Sequence, residues 1–181
     1  MSINQTKYGL LILFMGIFLY LLNFCIKVST CSLMYTLLMY TLYLIYKEYG
    51  KKRAIFTLTM YIVINLFFLK DYTYSFGGKT FDNLILYSFI AVLLSGISLV
   101  ISELYLQTKL TGFKSLFSGL VIAAFIDGIT MFIYFLYYLP LNKCFNILYR
   151  EIAYKSFYSL ILVLSLYFVK RAFMPILFKI K

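Results

Sequence analysis

The sequence predicts an all-α integral membrane protein, folded as a bundle of six transmembrane helices. Of its 181 residues, 64% are hydrophobic and only 13% are charged, and the mean hydropathy is +0.92. A soluble domain of this length could not bury so much apolar surface, so lipid is the expected solvent. Alternating runs of about ten residues, which would indicate a membrane β-barrel, are missing.

Six apolar stretches are the predicted helices of a single membrane domain, residues 1–181. They cover residues 8–26, 31–46, 54–69, 83–104, 116–139 and 152–169. Hydrocarbon offers no hydrogen-bond partners to the backbone, so each stretch is expected to be helical. The first stretch is too long for a signal peptide and has no small-residue cleavage site, so we interpret it as a mature helix. Turn signals between the stretches include Gly50, Gly77–Gly78, Gly112 and Pro140.

The basic residues predict the orientation of the chain in the membrane. A net charge of +11 on a soluble domain would suggest nucleic acid, but here the bases lie in short loops and at the C-terminus. Eleven of the 17 Lys and Arg residues fall at the termini and in the second and fourth loops, and six fall in the other three loops. Both termini are therefore expected in the cytoplasm. The abundance of Ile, Tyr, Phe and Lys resembles translation of an AT-rich bacterial genome. The expected location of this multi-pass protein is the bacterial inner membrane.

Residues suited to metal, cofactor or catalytic chemistry are scarce. Histidine is absent, and Cys25, Cys31 and Cys144 have no metal-ligand spacing, so neither a metal nor a cofactor is expected. The chain has no Gly-x-Ser-x-Gly motif, and a single carboxylate expected to be buried, Asp127, does not supply paired acid–base chemistry. We expect a protein that is not an enzyme.

Asp127 is the most informative single residue. It lies eleven residues after Leu116 and nine before Leu136, near the expected bilayer midplane. A charge at that depth costs at least about 2.5 kcal/mol, so such a residue normally faces a polar interior or a partner. Lys155, near the start of the sixth stretch, is either an interfacial snorkelling lysine or the cation that Asp127 requires.

Small and polar residues at steps of three and four form one stripe on each of the fourth and fifth stretches. The first stripe comprises Ser88, Ala91, Ser95, Ser98 and Ser102, and the second Ser115, Gly119, Ala123, Asp127, Thr130 and Tyr134. Such stripes either allow close helix packing or converge on a polar cavity. Asn65, in line with Tyr61 on the third stretch, is open to the same two interpretations.

Two short motifs carry a family resemblance. Tyr-Gly-Lys-Lys-Arg-Ala at residues 49–54 resembles the loop between the second and third helices of the queuosine-precursor transporters, also called the putative vitamin uptake transporter family. Residues 124–132, Ala-Phe-Ile-Asp-Gly-Ile-Thr-Met-Phe, resemble that family's apolar-Asp-small-x-x-Phe signature in the fifth helix. Lys155 matches a lysine that opens the family's last helix. The order, size and spacing of the helices agree over most of the chain.

The resemblance implies the six-helix fold of the substrate-binding subunits of energy-coupling-factor vitamin transporters, and uptake of a 7-deazaguanine precursor of queuosine. Lys47 and Tyr43 stand where the family has Glu and Asp, and Ser95-Gly96 replaces a Ser-Gln pair, so the chain resembles a divergent member. The candidate substrate-binding residues are Asp127, Lys155, Asn65, Tyr61, Ser95, Thr130 and Tyr134.

The leading hypothesis is an uptake transporter for a nucleobase-like or vitamin-like solute, in which Asp127 accepts paired N–H donors and aromatic rings stack on a flat heterocycle. The alternative is a non-transporting scaffold or assembly protein with a structural Asp127–Lys155 pair. The expected partners are the lipid bilayer and a small solute, with a homo-oligomer compatible with the sequence. No Ala-x-x-x-Ala coupling pattern in the first helix indicates an energising subunit, and whether protons drive transport is left open.

Overall fold

The chain forms six helices and one β-hairpin in the computed structural model, which describes residues 3–25, 27–69, 74–76 and 79–178. The helices are α1 (Ile3–Leu22), α2 (Val28–Tyr49), α3 (Lys51–Leu69), α4 (Leu84–Leu106), α5 (Gly112–Phe135) and α6 (Leu141–Phe178). Each of them is long and apolar enough to cross a membrane. The predicted number and order of helices are confirmed. Ile26 and Gly77–Gly78, used in the sequence prediction, lie outside the described residues.

The helix ends differ from the predicted bounds most clearly around Pro140. The fifth helix was predicted to continue to residue 139 but ends at Phe135, and turns at residues 136–138 lead to Pro140. The sixth helix was predicted to start at residue 152 but begins at Leu141, directly after that proline. Residues 141–151 contain several polar and charged side chains that lower their hydropathy without preventing a helix.

Helix α4 packs mainly against α5, and α5 against α6, while α2 contacts α1, α3 and α6. The core between these helices contains the fully buried Leu38, Leu58 and Leu120. Large apolar side chains are exposed on the outside, such as Phe56 (64%) and Val63 (57%) on α3. Apolar side chains therefore lie both in the core and on the outer surface. This distribution fits a lipid environment, where no water opposes the exposure of apolar groups.

A short hairpin that the sequence analysis did not predict closes one end of the bundle. Strand β1 (Tyr74–Phe76) pairs antiparallel with β2 (Lys79–Phe81). Phe81 is buried. Its ring packs edge-on against Phe135 and at a tilted angle against Tyr138. The hairpin thereby covers the end of α5 at which that helix stops.

Candidate functional site

The site is centred on a buried lysine held between two carboxylates. The Lys155 ammonium on α6 donates to Asp127 Oδ2 on α5 and forms an ion pair with it. It also donates to Glu151 Oε1, one turn earlier on α6, at 2.5 Å. Asp127 is 4% exposed and Lys155 is 1% exposed. We call Asp127, Lys155 and Glu151 the charge cluster.

Local sequence explains why these groups meet. Residues four apart share one face of a helix, so Glu151 and Lys155 lie side by side. Gly128, next to Asp127, brings α5 close to α6, because a Cβ at that position would lie 3.1 Å from Ile152 Cγ1 and from Leu148 Cδ1. Close approach at a glycine is the usual way in which membrane helices bring polar side chains into contact.

The charge cluster carries two formal negative charges and one positive charge. Desolvating three charges is expensive, and the cost is offset only where geometry and hydrogen bonds are good. Lys155 meets this condition by bonding to both carboxylates at once. If one carboxylate is taken by another cation or N–H donor, Lys155 is still paired with the other.

Helix α2 places the ring of Tyr35 next to the charge cluster. Lys155 Nζ lies 4.3 Å from the centre of the Tyr35 ring, a cation–π distance. The hydroxyls of Tyr35 and Ser32 are buried and form no hydrogen bond of normal geometry with the residues that the structure describes. Ser95 on α4 lies near the Tyr35 hydroxyl and donates from its own Oγ to the Val92 carbonyl at 3.0 Å. Buried hydroxyls without partners are costly, and they are groups that a polar solute could engage.

Of the residues predicted for the site, Asp127 and Lys155 are in contact, and Ser95 lies close to the Tyr35 hydroxyl. Asn65 donates to the Tyr61 carbonyl at 2.9 Å, within α3. Thr130 likewise donates to the Ile126 carbonyl at 2.8 Å, within α5. Both side chains therefore bond to the backbone of their own helix.

Tyr61 and Tyr134 lie at different places from the charge cluster. Tyr61 faces α1, where a Cβ on Gly16 would come within 2.4 Å of its ring. Tyr134 donates from its hydroxyl to the Asp82 carbonyl at 2.8 Å, beside the hairpin. These contacts are structural links between segments.

Sequence reasoning missed Glu151, Tyr35, Ser32 and a further buried acid, Glu103. Glu151 had a usable signal, because an acid four residues before a suspected buried lysine shares its helix face. Glu103 was passed over since it lies near the end of its apolar stretch, yet it is 0% exposed. The premise that the chain has one buried carboxylate was therefore wrong.

An apolar groove of about 370 Å³ lies beside the N-terminal half of α5, and its lining includes Phe113, Phe117 and Val163. Asp127 is not among the lining residues. The nearest lining residue along α5 is Ser118, nine residues and therefore about 13 Å of helix away. The groove and the charge cluster are separate features.

No protein-family model matches the chain, and comparisons with curated proteins and with solved structures find no match either.

Proposed function

We propose that this chain is a multi-pass protein of the bacterial inner membrane, with both termini in the cytoplasm, that takes up a small nucleobase-like or vitamin-like solute. The observation that supports it best is the double pairing of Lys155 with Asp127 and Glu151. Charged groups kept inside a membrane bundle are costly and commonly belong to a solute or ion pathway.

The double pairing suggests how a solute could be bound without leaving a charge unpaired. A solute with two adjacent N–H donors displaces the Lys155 ammonium from Asp127 and donates to that carboxylate. Lys155 stays compensated by Glu151, so the exchange does not leave it as an isolated cation. The Tyr35 ring and hydroxyl lie beside Lys155 and would contact a flat heterocycle.

The resemblance to queuosine-precursor transporters provides the first probe, a radiolabelled 7-deazaguanine precursor of queuosine. We expect uptake in cells that lack their own importer and express this chain, and a loss of at least about tenfold with Asp127→Asn. The matched control is Lys7→Met, which removes the cation of an exposed pair with Glu48 (2.5 Å) outside the charge cluster. Equal uptake by wild type and Asp127→Asn would overturn the role of Asp127, and no uptake of any deazapurine would remove the solute class.

A scaffold or assembly role is the second candidate, and one observation favours it. Asp127 and Lys155 already satisfy each other at 4% and 1% exposure, as a purely structural pair would. Cysteine labelling separates the two functions. In a background without Cys25, Cys31 and Cys144, a transporter should allow a water-soluble thiol reagent to reach Ser95→Cys, whereas a dry scaffold should not.

A further inference from the structure

A second buried acidic site lies on α4, three residues before that helix ends. Glu103 is 0% exposed. Its Oε2 accepts hydrogen bonds from Gln107 Nε2 at 2.7 Å and from Ser115 Oγ at 2.9 Å. Its other oxygen, Oε1, is buried and has no hydrogen-bond partner among the described residues. The carboxyl group therefore has one satisfied oxygen and one open oxygen.

Among the residues that the structure describes, no cation is paired with Glu103. The titratable neighbour from α2 is Tyr43, with Lys47 Nζ lying 5.6 Å from the centre of the Tyr43 ring. Helix α5 presents the uncharged Ser115 and Gly119, and α3 brings no cation within ion-pair distance. Glu103 thus differs from Asp127, whose charge is matched directly.

Gly119 provides the room for the open oxygen. A Cβ at this position would lie 3.3 Å from Glu103 Oε1 and 3.1 Å from Leu99 Cδ1. Only a residue without a side chain leaves the carboxyl in its present place without a shift of these neighbours. The close packing of α4 and α5 therefore encloses Oε1.

An ionised carboxylate with only neutral hydrogen-bond donors is costly in a membrane bundle, because neutral donors do not replace lost hydration. A metal ion would need several oxygen ligands in addition to Oε1. Gln107 and Ser115 already donate to the other oxygen and so oppose a cation there. A single proton requires only one open oxygen.

We propose that Glu103 is a proton-binding site, with the proton on Oε1 and the two hydrogen bonds retained on Oε2. Glu103 lies three residues before α4 ends at Leu106, close to the α4–α5 connection. This assignment holds whether or not a solute binds at the charge cluster, so it can fail independently of the proposed uptake function.

Infrared spectroscopy of the full-length protein in liposomes tests the proposal. We expect a carboxylic-acid C=O band at neutral pH that is lost in Glu103→Gln and retained in Asp127→Asn. Gln has nearly the same shape as protonated Glu, so the variant should remain folded. A band that is unchanged in Glu103→Gln overturns the proposal.

Two further measurements keep the test decisive. Ser115→Ala removes one donor to Oε2, the C=O oxygen of the protonated group, so the Glu103 band should move to higher frequency. A band that does not move would show that the proton is not on this carboxyl in the proposed arrangement. Addition of NaCl at constant pH should leave the Glu103 band unchanged. Loss of the band when NaCl is added would identify a site for Na⁺ instead of a proton.

Discussion

The two buried acids of this protein, Asp127 and Glu103, are compensated in different ways. Asp127 is paired with Lys155, a full positive charge from the neighbouring helix α6. Glu103 accepts hydrogen bonds from a neutral amide and a neutral hydroxyl, and keeps one oxygen open. Both are buried almost completely, so burial alone does not distinguish them.

The difference teaches that the partners of a buried acid decide what it can do. A carboxylate matched by a cation stays ionised and can exchange that cation for another donor. A carboxyl group without a cation is best accommodated as the neutral acid, and its chemistry is proton binding. On this basis we propose solute contact at Asp127 on α5 and proton binding at Glu103 on α4.

The largest effect is expected from Lys155→Met. The substitution leaves the buried Asp127 and the partly buried Glu151 without their shared cation, which should cost about 3–5 kcal/mol in the free energy of unfolding. Denaturant unfolding of the purified protein in detergent measures it. Lys7→Met, at an exposed pair, is the control and should change stability little. Equal effects of the two substitutions would contradict the importance of the cation in the charge cluster.

Asp127→Asn should have a smaller effect, about 1–3 kcal/mol, because Lys155 keeps Glu151 and the amide can still accept a hydrogen bond. The double variant Asp127→Asn/Lys155→Met should lose less free energy of unfolding than the sum of the losses in the two single variants. A double-mutant cycle measures this coupling. Strict additivity would mean that the two side chains do not stabilise each other.

The glycines beside the two acids allow a matched comparison of packing. Gly119→Ala places a Cβ against Leu99 and Glu103, and Gly128→Ala places one against Leu148 and Ile152. Both should destabilise by about 1–3 kcal/mol, since the neighbouring atoms must shift. Only Gly119→Ala should alter the infrared band of Glu103. A change of that band in Gly128→Ala would instead indicate long-range rearrangement.

Glu103→Gln should have the smallest effect on stability, within about 1 kcal/mol, if the native side chain is already neutral. The measurement is the same denaturant unfolding used for Lys155→Met. A loss as large as that of Lys155→Met would show that Glu103 is held as a charge, and the contrast between the two acids would disappear.

Hydropathy and turn residues were sufficient to predict six helices in the right order, because spacing and apolar length depend on local sequence. The Asp127–Lys155 contact was also anticipated, as one of two interpretations of that lysine. The hairpin was missed because its strands are only three residues long each. The burial of Glu103 could not be deduced from its position at the end of a stretch, since it depends on the packing of α5 against α4.

The polar stripe on α5 shows the same limit in another form. Spacing placed Asp127, Thr130 and Tyr134 on one face, yet Thr130 bonds within its own helix and Tyr134 bonds to the Asp82 carbonyl. A shared helix face determines the direction in which the side chains point. It does not determine how deeply each side chain is buried or which group it bonds to. Tyr35 and Ser32 of α2 belong to the site as well, although no residue of that helix was a predicted binding residue.

Helix α6 has a length that no other helix approaches among the described residues. Its 38 residues extend over about 57 Å, nearly twice the thickness of a bilayer's hydrocarbon layer of about 30 Å. Tilt alone does not absorb such an excess, so part of the helix must stand clear of the lipid. Lys170 and Arg171 lie on its distal part. With the predicted cytoplasmic C-terminus, these two cations would lie near the headgroups of the inner leaflet, where anionic lipids attract Lys and Arg.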